Sequence, residues 1–178
     1  TWCRGRSVLD CYCNVGGFAL QAAKSGAERV LGIDASAPTI QLANRNALLN
    51  GLKQVEFRQS DVFQFLESTA GNEVFEVVIL DPPSFAPRKK DIPRARKAYR
   101  RLNQLGMECL APGGVLVTAS CSFHLREDTF YKVVGEAALR AGRRLQLLER
   151  RQQAPDHPIL PAMPETAYLK LGIFRVDR

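Results

Sequence analysis

What this 178-residue chain lacks narrows its possible roles first. No apolar run reaches the ~18 residues that suggest a membrane-spanning helix, and no signal segment opens the chain. The five cysteines (Cys3, Cys11, Cys13, Cys109, Cys121) are an odd number and include no Cys-x-x-Cys pair. That argues against a zinc site and against a disulfide framework, and for a reducing compartment, with the cytoplasm as the default. No metal site is expected. Repeats and low-complexity stretches are also missing, so residues 1–178 are read as one domain, long enough to bury a sizeable core. The sequence opens on Thr1 and the lead-in to a strand, and the domain is read as the C-terminal part of a longer protein.

The net charge of +7 is concentrated. Arg88, Lys89, Lys90, Arg94, Arg96, Lys97, Arg100 and Arg101 stand against the single acid Asp91, and the rest of the chain is neutral. Such a run is either a solvated helix face or the contact for a polyanion such as RNA.

Strand and helix patterns alternate from end to end. Ser7–Cys13, Arg29–Asp34, Val55–Gln59, Phe75–Leu80 and Val115–Ala119 read as strands, and the β-branched residues of the fourth suit a buried central one. Between them, Phe18–Ser25 predicts a helix burying Phe18, Ala19, Ala22 and Ala23. A second follows Ser36 as cap, with Ile40, Ala43, Ala47 and Leu48 inward and Asn50-Gly51 as its stop. Val62–Ala70, Arg94–Cys109 and Glu127–Ala141 are the remaining helices, with Pro112-Gly113-Gly114 as a break. Arg144–Arg151 and Tyr168–Phe174 read as the last strands. The link between them is too short for a helical crossover, so they should be antiparallel neighbours. The expected fold is therefore α/β: a doubly wound, Rossmann-like sheet, mostly parallel with an antiparallel last strand.

Polar groups collect where the first five strands end: Asn14-Val15-Gly16-Gly17, Asp34, Asp61, Asp81 and Ser120-Cys121-Ser122. On a parallel sheet these lie along one edge, where ligands bind. Asp34 is placed to accept from both hydroxyls of a ribose, and Asp61 from an exocyclic amine. The glycines allow close approach of backbone to ligand. A dinucleotide oxidoreductase would share the first two features, but the Gly-x-Gly-x-x-Gly pattern is absent and the loop carries no base to meet a pyrophosphate. After the fourth strand, Pro82-Pro83 end the ladder and fix the direction in which Asp81 is presented.

The order LDCYCNVGGF, GIDAS, SDVF, ILDPPSF and ASCS resembles the class I S-adenosylmethionine-dependent methyltransferases. Within them it is similar to the bacterial PUA-domain-containing large-subunit ribosomal RNA cytosine-5 methyltransferases, over nearly the whole chain. Gln153–Pro158, Pro164-Glu165 and Tyr168-Leu169-Lys170 also resemble that family's C-terminal stretch. The resemblance implies that S-adenosyl-L-methionine is the cofactor. Tyr12, Asn14, Gly16 and Gly17 would cradle its methionine part, Asp34 its ribose and Asp61 its adenine. Asp81 would lie beside the methyl group and the target base, Cys121 would be the nucleophile, and large-subunit ribosomal RNA the partner.

Carbon 5 of a pyrimidine is a poor nucleophile, and addition of a thiolate at carbon 6 raises its electron density, which is the reason a cysteine suits this chemistry. A strand-end cysteine between serines, beside a basic segment, has surroundings expected to favour thiolate. Many RNA cytosine-5 methyltransferases carry a second cysteine in Asp-x-Pro-Cys; here that position is Ser84, as in the family resembled. The competing readings are methylation of a uracil carbon 5, methylation of a guanine or exocyclic nitrogen, and a non-catalytic nucleotide- and RNA-binding module.

Overall fold

The computed structural model describes residues 2–72 and 74–178; Thr1, where the expected domain begins, and Glu73 lie outside the described residues. The elements are β1 (Ser7–Cys11), α1 (Gly17–Lys24), β2 (Arg29–Asp34), α2 (Ala37–Leu49), β3 (Val55–Gln59), α3 (Val62–Thr69), β4 (Phe75–Leu80), α4 (Ile92–Glu108), β5 (Leu110–Ser120), α5 (Glu127–Arg140), β6 (Arg144–Arg151) and β7 (Lys170–Asp177). Among the described residues, seven strands form one sheet in the order β3-β2-β1-β4-β5-β7-β6. The first five are parallel, and β7 runs antiparallel between β5 and β6. The chain winds outward from β1 to β3, then returns to place β4 on the other side of β1. That reversal opens a crevice at the strands' carboxyl ends between β1 and β4.

Alternation along each strand sorts the core onto two faces. Leu9 and Cys11 of β1, Val78 and Leu80 of β4, and Leu116 of β5 pack under α3, α4 and α5. Val8, Val77, Ile79 and Val115 belong to the opposite layer, with Ala19, Ala22 and Ala23 of α1 and Ile40, Ala43 and Ala47 of α2. Prolines mark two helix starts, Pro38 in α2 and Pro93 in α4, where the missing N–H has no helical partner to lose.

Several local expectations shift. Phe18 is 45% exposed, because the alanines of α1 fill the interface without it, and Leu48 is 81% exposed on the outer side of α2. Ser36 stands at the N-cap of α2, but its side chain makes no capping bond; instead Asp34 Oδ1 accepts from Ser36 N at 2.9 Å. Helix α4 begins at Ile92, two residues before the expected Arg94, since Pro93 fits its first turn. Pro112-Gly113-Gly114 does not precede β5 but lies inside it as a bulge: Phe75 pairs with Leu110, then Val77 with Val115. Strand β1 stops at Cys11 because Tyr12 turns left-handed, with φ +64°. The last strand runs Lys170–Asp177 rather than Tyr168–Phe174.

One aromatic ring ties the β1 turn to β3. Gly32 pairs with Phe57 across β2 and β3, and a Cβ at Gly32 would lie 2.4 Å from that ring; one at Gly16, where φ is +91°, would lie 2.7 Å from it. The ring therefore occupies space that two glycines leave open. Gly32→Val is expected to overpack this site and lower stability by about 1–3 kcal/mol, measured by urea unfolding.

Candidate active site

The β1–α1 turn is built from residues held in an unusual conformation. Tyr12 (φ +64°), Asn14 (φ +49°) and Gly16 (φ +91°) are all left-handed, and for a bulky side chain such as Tyr12 that costs about 1–3 kcal/mol. The turn is fastened by Cys13 N donating to Ile33 O at 3.0 Å, Gly16 N to Cys13 O at 2.8 Å, and Asn14 N to Asp34 Oδ2 at 3.0 Å. Asp34 thus links the ends of β1 and β2, one carboxylate oxygen facing each loop. Asp61 caps α3, its Oδ1 accepting from Gln64 N at 3.0 Å.

Tyr12, Asn14, Asp34, Asp61, Asp81 and Pro83 line one cavity of about 400 Å³ at the β1–β4 crevice. The structure thus brings together five of the residues expected to hold the cofactor. Gly16 and Gly17 are not part of that lining. Gly16 is required by its left-handed backbone and by Phe57, whereas a Cβ at Gly17 would meet nothing within 4 Å.

Asp10 was not singled out by the sequence reading, although a lone acid inside an apolar strand is a visible signal. It is fully buried. Its Oδ2 accepts from Ala19 N at 2.9 Å, while Oδ1 has no hydrogen-bond partner among the described residues. Burial, with smaller contributions from Asp81 and Asp34, pushes its carboxyl up to about 7. An orphaned buried carboxylate oxygen, next to acids that line a cavity of this size, fits a ligand carrying positive charge, as S-adenosylmethionine does.

The second half of the site joins the ends of β4 and β5. Ser122 is fully buried, and its hydroxyl gathers three groups: Ser84 Oγ at 3.0 Å, Ala86 N at 3.2 Å and the Tyr99 hydroxyl at 3.2 Å. Phe85 packs on Tyr99, ring centroids 4.8 Å apart, and on Phe63 at 6.4 Å. The Asp81–Phe85 segment is therefore clamped to Ser120–Ser122. Cys121 is half-buried between them, its thiol donating to Pro82 O at 3.9 Å. Burial pushes the Cys121 thiol up, Asp81 pushes it further, and Lys170 pulls it down. The expected thiolate-favouring surroundings are thus not present at rest, and the opposing cation comes from β7, not from the basic segment. Burial also raises the Asp81 carboxyl. His124 packs edge-on against Phe123 at 5.4 Å, and His157 pairs with the Tyr168 hydroxyl at 3.2 Å.

The basic segment forms a 3-10 turn, Lys89–Asp91, and the first turns of α4. Half of its charges are met by acids: Arg88 by Asp91 (3.1 Å), Arg96 and Arg100 by Glu136 (3.6 and 3.0 Å), and Arg101 by Glu67 (3.0 Å). Lys89, Lys90, Arg94 and Lys97 are exposed and show no ion pair among the described residues. A second cavity of about 400 Å³, lined by Phe63, Ser84, Phe85, Arg88 and Arg94 among others, lies between this segment and the Asp81 loop.

A family model described as a methyltransferase domain matches residues 4–158. The chain is 44% identical over 97% of its length to the ribosomal RNA large subunit methyltransferase I of Shewanella denitrificans, covering 44% of that protein. It is 45% identical over 93% of its length to the protein of the same name from Aeromonas hydrophila, covering 43% of it. The chain thus spans less than half the length of these curated relatives. Among solved structures, SMU.776 complexed with SAH superposes with a TM-score of 0.84 at 22% identity, over 97% of this chain and 46% of that one. Trm5b from Pyrococcus abyssi gives 0.70 at 20% identity, over 98% and 45%. These likenesses establish the fold.

The Ser122 clamp makes a graded prediction. Ser122→Ala leaves the buried Ala86 N–H and Tyr99 hydroxyl without that acceptor and is expected to cost about 1–3 kcal/mol. Ser84→Ala removes one exposed hydroxyl from the cluster and is expected to cost less than about 1 kcal/mol. Chemical denaturation of both variants checks the order.

Proposed function

The chain belongs to the S-adenosylmethionine-dependent methyltransferases, and from that premise we propose that it methylates carbon 5 of a cytosine in large-subunit ribosomal RNA, with Cys121 as covalent nucleophile. The observation that carries this reading is the meeting of Asp81 and Cys121 on adjacent strand ends, with the Cys121 thiol 3.9 Å from Pro82 O and the Asp81 cavity beside it. The name borne by relatives 44–45% identical supports the substrate. Residues 1–178 are read as one catalytic domain, the C-terminal part of a longer protein. The cytoplasm is the location that suits the proposed ribosomal RNA substrate, and among the described residues no helix is long and apolar enough to cross a membrane.

S-adenosylmethionine supplies an electrophilic methyl group. Tyr12, Asn14 and Asp34 would hold it from the β1 and β2 ends, with Gly16 and Gly17 shaping the turn; Asp61 would meet its adenine, and Asp10 would offer an unpaired carboxylate oxygen to its positive charge. The Cys121 thiol gives up its proton and the thiolate bonds to carbon 6 of the cytosine, making carbon 5 nucleophilic. Asp81, raised by burial and so more readily protonated, hydrogen-bonds the ring nitrogen where charge develops. Once carbon 5 carries the methyl group, loss of its proton to a base expels the thiolate and restores the aromatic ring. Ser84 is held by Ser122 and serves as a tether, not as a second thiol. In the exocyclic-amine reading a base-stacking aromatic follows the prolines directly; here Ser84 holds that position and Phe85, one residue on, is engaged with Phe63 and Tyr99, which disfavours that reading.

Cys121→Ala is expected to lower methyl transfer to ribosomal RNA by at least about a thousandfold, while binding of S-adenosylhomocysteine, followed by calorimetry, stays at the wild-type level. Full activity would move the target to a nitrogen. Lys89, Lys90, Arg94 and Lys97 are read as the RNA-facing charges of the basic segment. Changing all four to Gln is expected to flatten the slope of log affinity against log salt by about 3. The same change at Arg100 and Arg101, already met by Glu136 and Glu67, is expected to alter the slope by less than about 1. Titrations of a ribosomal RNA fragment at several salt concentrations measure both.

A further inference from the structure

Lys170 is 8% exposed, an unusual place for an ammonium. Because β7 runs antiparallel, its first residue, Lys170, pairs with Ser120, the last residue of β5. A lysine thus arrives at the sheet edge that carries Asp81 and Cys121. Its Nζ donates to Ser122 O at 2.6 Å and to Tyr168 O at 2.8 Å. Among the described residues it has no carboxylate within salt-bridge distance, so two neutral carbonyls are what offset its burial.

We propose that Lys170 is a positioning residue for the methyl-transfer reaction: it fixes the backbone that follows Cys121 and supplies the counter-charge that lets the Cys121 thiolate form. The inference rests on the reading of Cys121 as nucleophile. The groups facing the thiol come from three elements. Asp81, beyond β4, opposes ionisation. Tyr99, from α4, hydrogen-bonds the hydroxyl of the neighbouring Ser122 and adds no positive charge. Lys170, from β7, favours ionisation. On the far side Glu127, from α5, is the acid that acts on Lys170. When the thiol ionises, its proton leaves to water and the resulting anion finds a buried cation already anchored one residue away. Desolvation holds Lys170 down to about 8, and a thiolate beside it raises it again, so each charge stabilises the other.

The test is the titration of Cys121 itself, read without RNA or methyl transfer, so that its failure and the failure of the nucleophile reading are separate results. Alkylation by iodoacetamide is followed from about pH 7 to 12, with mass spectrometry of the Cys121 peptide separating it from the other cysteines. Lys170→Met is expected to raise the midpoint by about one pH unit, which slows alkylation near pH 8 roughly tenfold. Lys170→Arg keeps the cation and is expected to keep the wild-type midpoint. A Lys170→Met protein that unfolds cooperatively, binds S-adenosylhomocysteine as wild type does, and shows an unshifted midpoint overturns the proposal. A raised midpoint in Lys170→Arg overturns it too, and that variant decides the matter where Lys170→Met does not fold.

Discussion

Strand direction is the constraint on which this molecule depends. Five parallel strands send their carboxyl ends to one edge, and the order β3-β2-β1-β4-β5 places the reversal of winding between β1 and β4. Asp34, Asp61, Asp81 and Cys121 are far apart in sequence, yet each follows or ends a strand and so arrives at the same rim. The left-handed turn at Tyr12 and Asn14 is stored strain at that rim. It is sustained because Asp34 holds the Asn14 backbone and Phe57 fills the space above Gly16 and Gly32.

Parallel strands bring loops near one another but do not hold them. At β4 and β5 that task falls to hydroxyls. Ser122, buried and shared by Ser84, Ala86 and Tyr99, converts two adjacent strand ends into one unit. This gives Ser84 a role independent of any thiol chemistry. The aromatic series Phe63, Phe85, Tyr99 and Phe130 then carries the clamp down into the helical layer, with Tyr99 and Phe130 5.8 Å apart.

The parts of the site that were legible in the sequence are those fixed by period and punctuation. Alternating apolar strands ending in an acid or an Asp-Pro-Pro turn needed only the parallel reading to place Asp34, Asp61 and Asp81, and the short link after β6 sufficed for the antiparallel β7. Phe18 and Leu48 satisfied the helical period but are exposed, since period identifies a face and not what covers it. Ser36 had the right residue type for a cap and stands at the N-cap, yet its hydroxyl makes no capping bond, because residue type does not fix the direction of a side chain. Asp10 was visible as a lone acid in an apolar strand, but its role and that of Lys170 were not legible: a buried charge gains meaning only when the partners it lacks are known, and that is a property of the packed molecule. The basic segment carried its excess charge openly, but the pairing of three of its eight bases, Arg96, Arg100 and Arg101, depends on Glu67 and Glu136, from other helices.

Those observations together explain how a cysteine can be both quiet and reactive in one place. An isolated thiol at a half-buried strand end, facing an acid such as Asp81, stays protonated, and this protects it from adventitious oxidation. Reactivity then requires that Asp81 lose its charge or that a cation remain close. Burial favours the first by raising the Asp81 carboxyl, and a further drop in water content as a base enters would favour it more. The antiparallel strand secures the second. Had β7 run parallel to β5, its first residue would lie at the opposite rim, and nothing in the register would bring an ammonium opposite Ser120. The one departure of the sheet from parallel order is thus the feature that completes the electrostatics of its active edge.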